Sequence, residues 1–366
     1  MQPLYGQVRD YAWGSRSVIA ALQGRPVPSP GPEAELWLGA HPAAPSTLPS
    51  GPLPDALTGD PAGLLGSAVV EEFGERLPYL FKLLAAAEPL SIQAHPDPVR
   101  AREAHAAGHP GYADPYHKPE LLVAVDDFEA LCGFRDPSGS ADELDRLGVD
   151  ALKPMIEALR TGTVEQRLRG AVELLMSWPD PERAELVRAV AAADPFAARL
   201  AGHYPGDVGV VVALLLNRVW LGADEAVWMP AGNLHAYLRG TGIEIMAASD
   251  NVLRGGLTPK PMDVRELLRV LRFEVLDDPV VRPVPVGPGV LTWPAPVREF
   301  ALHKATVAGE PVRLPGQGPR ILLCLAGAVR LDGLSLARGE AAFVPATEPP
   351  VTGTGQGVVF QAGTPG

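Results

Sequence analysis

The sequence predicts a mainly β protein with one helical insertion, on three observations. Short apolar runs ended by Gly- or Pro-containing turns recur along the chain, whose 39 glycines and 40 prolines are spread rather than pooled. From Asp142 to about Leu200 the apolar spacing changes to mostly three to five residues, the helical period. At 366 residues the chain exceeds one small core, so two or three domains are expected.

Taken in order, Tyr11-Ala12-Trp13-Gly14-Ser15 and the stretch from Glu35 to Pro42 read as strand and loop, and Pro45 to Pro54 as loop. Pro54 to Phe73 reads as helical, ending at Gly74, and Leu80 to Ala94 as apolar strand around a Glu88-Pro89 turn. In the insertion, Leu144, Leu147, Leu152, Met155, Ile156 and Leu159 form a stripe, followed by Val172, Leu174, Leu175 and Met176. Asp180-Pro181-Glu182 starts a helix, with Pro in the first turn and acids at the positive end of the dipole. The insertion reads as a scaffold or lid without chemistry. Strands resume at Val208 to Val212 and Ala226 to Met229, and Val264 to Phe273 is helical. The β-type runs at 289–293, 320–325, 341–344 and 358–360 form a second, smaller β-barrel or sandwich. The expected units are 1–138 with 204–265, the insertion 139–203, and a C-terminal β domain 266–366.

The composition, 46% hydrophobic and 20% charged, is that of a soluble globular protein. A net charge of −12 argues against nucleic acid or an anionic membrane surface as partner, but leaves room for a local pocket for a small anion. Two cysteines, Cys132 and Cys324, are too few for a disulfide framework or a Cys-based metal site, which fits a reducing, cytoplasmic setting. The start shows no secretory pattern, and no run approaches the ~18 apolar residues of a membrane span. A monomer is the default expectation.

Three segments carry chemistry: Gln93-Ala94-His95, His117-Lys118-Pro119-Glu120, and Pro230-Ala231-Gly232-Asn233-Leu234-His235. Two residues apart on a strand, Gln93 and His95 share a face. The Pro-x-Gly-x-x-His form sets a turn before a strand-borne His. With Glu120, which opens the apolar run 121–125 and so needs a partner, these give an N/O set suited to Zn2+ or another borderline divalent ion. Singly, each is weaker: a lone His in an apolar strand is more often a satisfied core or surface residue. His105, His109, His203 and His303 read as surface residues. Glu244 lies in an apolar run, where alternation also permits an outward-facing position, and Ser249-Asp250-Asn251 leading to Arg254 is a polar loop able to approach an anion.

In this order, the segments resemble the type I phosphomannose isomerases. The resemblance runs through Tyr-Ala-Trp-Gly-Ser at 11–15, Glu-Leu-Trp-Leu-Gly-Ala-His-Pro at 35–42, Leu-Pro-Tyr-Leu-Phe-Lys at 77–82 and Leu-Ser-Ile-Gln-Ala-His-Pro-Asp at 90–97. It continues through His-Lys-Pro-Glu at 117–120, Tyr-Pro-Gly-Asp-Val-Gly at 204–209 and Pro230 to Lys260, and is strongest up to about Phe273. It implies cupin (jelly-roll) barrels, a catalytic barrel plus a smaller C-terminal one, and one Zn2+ per chain on Gln93, His95, Glu120 and His235. It further implies interconversion of mannose 6-phosphate and fructose 6-phosphate through an enediol, with Arg254 and Lys118 as active-site residues. Lys118 and Glu244 are both candidates for proton transfer, and Lys82, Ser91 and Arg254 for substrate binding. The alternatives are a metal-dependent isomerase or epimerase for another sugar phosphate, and a catalytically silent carbohydrate-binding cupin.

Overall fold

The computed structural model describes residues 1–365. Its strands form an eleven-stranded sheet, a nine-stranded sheet and a two-stranded ribbon, with antiparallel pairing within each and neither large sheet closing into a ring of paired strands. One strand, His235–Ala247, organises the larger sheet. Its first half pairs with Phe128–Phe134, and His235 lies opposite Gln93. Its second half pairs with Tyr79–Ala86 on one side and Glu120–Ala124 on the other.

The bend between the halves sits where the register shifts after Tyr237, at Gly240 with φ +130°. A Cβ on Gly240 would meet the Asp127 carbonyl oxygen at 2.7 Å, so only glycine lets the strand turn there. Two arms of sheet thereby leave one strand and enclose a space between them.

Alternation decides what enters that space. Along Tyr79–Ala86 every residue is buried, but Tyr79, Phe81, Leu83 and Ala85 pack against the nine-stranded sheet. There they meet Phe300, Leu302, Ile321, Phe343 and Phe360, and each large side chain so buried contributes about 1.5–3 kcal/mol. The intervening Leu80, Lys82 and Leu84 face the enclosed space. Ile243 and Ile245 likewise join the intersheet core, which turns Glu244 and Met246 inward. Glu244 is thus not an outward-facing residue.

The helical insertion is five α-helices: Pro137–Arg146, Lys153–Arg160, Val164–Met176, Asp180–Ala193 and Pro195–His203. Thr163 and Gln166 form a capping box on the third, and proline stands in the first turn of the other four. Their stripe of Leu152, Met155, Leu159, Leu168, Val172 and Leu175 packs into one core with Ile92, Leu131 and Leu253 of the nearer arm. The last helix delivers His203 and Tyr204 to the wall of the enclosed space, so the insertion is more than scaffold.

Several expectations need correction. Val208 to Val212 is not a strand: Gly209–Val212 is a short helix whose start is held by Asp207 Oδ1 accepting from the Gly209 N–H at 2.7 Å. All its valines are buried, and an apolar run without alternation does not distinguish the two states. Each sheet also takes in strands from distant parts of the chain. Gln2–Leu4 pairs with Ala341–Val344 in the nine-stranded sheet, and Val280–Val281 pairs with Ala226–Val227 in the eleven-stranded one. His303 is no surface residue; it is half-buried, its Nδ1 lacks a partner, and burial pulls its pKa down to about 4.

Candidate active site

The enclosed space is a cavity of about 600 Å3, lined among others by Lys82, Ser91, Gln93, Lys118, Glu120, Glu244 and Arg254. His95 and His235 stand behind Glu120, so the structure brings all nine residues singled out by the sequence to one place.

The metal-type donors converge by construction. Gln93 lies on the strand Ile92–Ala94, directly across from both His235 and Arg254, and His95 follows at the strand's end. Gly232, at φ +77°, lets the turn before His235 pass against Val270 and Arg272, and its N–H donates to the His95 carbonyl at 2.8 Å. That bond ties the two histidine-bearing segments together. Glu120 begins its strand, with Met229 across from it on one side and Met246 on the other.

Within this cluster the hydrogen bonds fix the protons. His95 Nδ1 lies 2.8 Å from the Asn251 carbonyl oxygen and His235 Nδ1 lies 3.0 Å from that of Asn233. A carbonyl only accepts, so each Nδ1 carries the proton and each Nε2 presents a lone pair. Those lone pairs face Glu120, at 3.4 Å from His95 and 3.2 Å from His235, and a carboxylate also only accepts. His95 Nε2 is buried without a hydrogen-bond partner. Donor atoms of His95, Glu120 and His235 lie within 4.8 Å of one another. Three acceptors aimed at one point with no proton among them fit a cation, and two imidazoles with a carboxylate and a nearby amide suit Zn2+.

Electrostatics agree. Burial draws His95 down to about 4 despite Glu120, which keeps the imidazole neutral and able to ligate. Burial would raise Glu120, but the Lys118 ammonium at 2.8 Å outweighs it and holds Glu120 well below the usual carboxylate range.

A second buried group lies beside the first. Lys82 Nζ stands 2.9 Å from Glu244 Oε2 and 3.4 Å from Glu35 Oε1. The Tyr237 hydroxyl donates to Glu244 Oε1 at 2.8 Å, and the Trp37 indole N–H donates to Glu35 at 2.8 Å. Burial pushes Glu244 up while Lys82 opposes it. For Lys82 burial works downward, and the carboxylates of Glu244, Glu35 and Glu120 outweigh it and carry the ammonium up. Tyr237 is likewise raised, by burial and then by Glu244.

Lys82 and Lys118 are therefore each matched by a carboxylate. Arg254 and Lys260 also line the cavity, and among the described residues neither has a carboxylate partner within 4.0 Å. Burial lowers Arg254. Asp250 adds a half-exposed carboxylate held at 3.2 Å by His41, a hydrogen bond that lowers its pKa.

Sequence reasoning missed Glu35, Tyr237 and Lys260, and it gave the loop of Ser249, Asp250 and Asn251 a different part. Ser249 and Asn251 are buried supports rather than an anion-facing turn. The Asn251 amide donates to the Asp114 and Tyr116 carbonyls at 2.7 and 2.8 Å, while its own carbonyl orients His95. His203 is exposed, as expected, and also lines the cavity near Glu88. His105 is exposed, as expected, and His109 rests edge-on against Tyr112.

Residues 1–137 match the family described as phosphomannose isomerase type I, catalytic domain. The mannose-6-phosphate isomerase of Escherichia coli is 37% identical over 391 residues, covering 98% of both chains. That of Schizosaccharomyces pombe is 34% identical and covers 99% of both. A zinc-bound crystal structure of mannose 6-phosphate isomerase is similar over 99% of both chains, with a TM-score of 0.91 and 35% identity. A mutant phosphomannose isomerase from Salmonella typhimurium gives 0.90 and 35% over all of this chain. The likeness runs through the C-terminal sheet, beyond the region where the sequence motifs are densest, and the two-sheet architecture is a cupin fold. This chain belongs to the type I phosphomannose isomerase family.

Proposed function

We propose that the chain is a zinc-dependent aldose–ketose isomerase that interconverts mannose 6-phosphate and fructose 6-phosphate through an enediol. The observation that carries this reading is the convergence of lone pairs from His95, His235 and Glu120 beside buried acid–base groups, in a cavity with unmatched cations. Gln93, His95, Glu120 and His235 would hold the ion, which supplies Lewis acidity toward the substrate's carbonyl and hydroxyl oxygens.

The chain's own groups divide the rest. Both Glu244 oxygens already accept hydrogen bonds, from Tyr237 and Lys82, so Glu244 fixes those two groups in the cavity wall. Lys118 is paired with one carboxylate, the ligand Glu120, and we assign to its Nζ, acting as the free amine, the acceptance of the proton from one of C1 and C2 and its return to the other. Arg254, opposite Gln93, faces the developing negative charge. Lys260, exposed at the mouth, with Ser91 and Thr258 nearby, receives the 6-phosphate.

Lys260→Ala is expected to raise KM for mannose 6-phosphate about tenfold, the scale of one charged hydrogen bond, with kcat within about twofold. An equal fall in kcat at unchanged KM would remove Lys260 from the phosphate end. The decisive assay follows mannose 6-phosphate conversion before and after chelation, with Zn2+ returned and a panel of other aldoses and their 6-phosphates alongside. Loss and recovery with zinc is the expected result, and silence of the zinc-loaded protein on this substrate would overturn the reading. We further propose a cytoplasmic monomer, in keeping with the two free, buried cysteines, to be checked by light scattering.

A further inference from the structure

Lys118 is presented by a segment with no secondary structure of its own, which leads into the strand that begins at Glu120. From Gly111 to Pro119 the backbone forms neither helix nor strand, so side chains must hold it. Upstream, the Tyr112 hydroxyl donates to Glu266 at 2.7 Å, and the Asp114 carboxylate accepts from the Ser249 hydroxyl and the Asp250 N–H, both at 2.8 Å. The Tyr116 ring lies 3.6 Å from the Arg76 guanidinium. Downstream, the Pro119 carbonyl accepts from Ala247 N–H at 3.1 Å.

Between those anchors stand His117 and Lys118. His117 does not line the cavity; its Nε2 lies 2.6 Å from Glu299 Oε1, and both side chains are largely buried. A carboxylate only accepts, so His117 donates. Glu299 precedes the strand Ala301–Ala308 of the nine-stranded sheet, and its other oxygen accepts from the Arg298 N–H at 3.2 Å. The contact therefore joins the C-terminal sheet to the residue immediately before Lys118.

We propose that Glu299 is a positioning residue, which by holding His117 fixes the loop that sets Lys118 in the cavity. This rests on the reading that Lys118 acts in turnover. Misplacement of a reacting group by an ångström costs up to about a hundredfold in rate, so a strut outside the cavity reaches the chemistry through geometry.

The test uses full-length, zinc-loaded protein and two variants. In Glu299→Ala, amide hydrogen exchange is expected to quicken across residues 111–119 while the intersheet core keeps its protection. Per zinc-loaded chain, kcat is expected to fall about tenfold with KM within about twofold. Glu299→Gln, whose amide oxygen still accepts from His117, is expected to restore most of kcat and the protection. In a His117→Ala background, Glu299→Ala is expected to add nothing. Unchanged exchange and kcat in Glu299→Ala would overturn the proposal. So would loss of protection throughout the protein with Glu299→Gln no better than Glu299→Ala. Should wild type fail to convert mannose 6-phosphate, the functional reading falls, while the exchange comparison still judges the strut.

Discussion

Glu120→Ala is expected to lower mannose 6-phosphate turnover by well over a hundredfold and to bring zinc content far below one ion per chain. Loss of a group that merely orients a metal ligand costs about 10- to 100-fold, and Glu120 is itself a donor and the charged one of the four. Its removal leaves the His95 and His235 lone pairs without their anionic partner and strands Lys118, only 7% exposed, without a counter-charge. Elemental analysis reads the metal and the coupled assay reads turnover. Thermal unfolding supplies a readout independent of both. Zinc at about a hundred times its Kd adds about 2.7 kcal/mol to wild type by mass action. The variant should show little of that gain. Zinc retention together with near-normal turnover in Glu120→Ala would remove Glu120 from the metal site.

Much of this centre was legible in the sequence because its members sit in short local patterns. Gln93 and His95 are two apart, Lys118 and Glu120 are two apart, and Gly232 announces the turn before His235. What was not legible depends on register between distant strands. Tyr237 reads as an ordinary aromatic in an apolar run until the bend at Gly240 folds it back against Glu244, seven residues on. Glu35 acquires its role because Trp37 pairs with Lys82 and Lys82 with Glu244, across residues far apart in sequence. No spacing rule contains that information. The same holds for Asn251, whose support of His95 appears only once two loops are packed together.

The fold divides along the same line. Helices of the insertion were readable because a period near 3.6 repeats over several turns, and Asp180-Pro181 marks one start. Gln2–Leu4, three residues long, has no period to read, and its partners lie at the opposite end of the chain. The valines after Asp207 mislead for a different reason. Their burial on every side erases alternation, and the helix forms because Gly209 can press against the Gly256 backbone.

Lys82→Met is expected to destabilise the chelated protein by about 3–5 kcal/mol, the cost of leaving buried charges unpaired. Lys82 holds two carboxylates that face each other across it, Glu244 and Glu35, each no more than 6% exposed. In wild type the raised pKa of Lys82 gives stability that is complete below the unfolded value of 10.5 and is lost only at more alkaline pH, so Lys82 itself adds no slope near neutrality. Without Lys82 the sign stays the same, but the window moves down from alkaline pH toward neutrality. Glu244, already raised by burial, loses its main opposing charge and rises further. A carboxyl raised on folding contributes stability present below its unfolded value of about 4.3 and lost as pH climbs through its folded one. Relative to wild type, the variant should therefore weaken progressively as pH climbs above the unfolded carboxylate value. Urea unfolding at several pH values measures both. Adding Glu244→Gln removes one of the stranded charges and should recover a large part of the loss. A Lys82→Met protein within about 1 kcal/mol of wild type, with no new pH slope, would mean that water reaches these carboxylates and that the network is not the dry, mutually dependent one described.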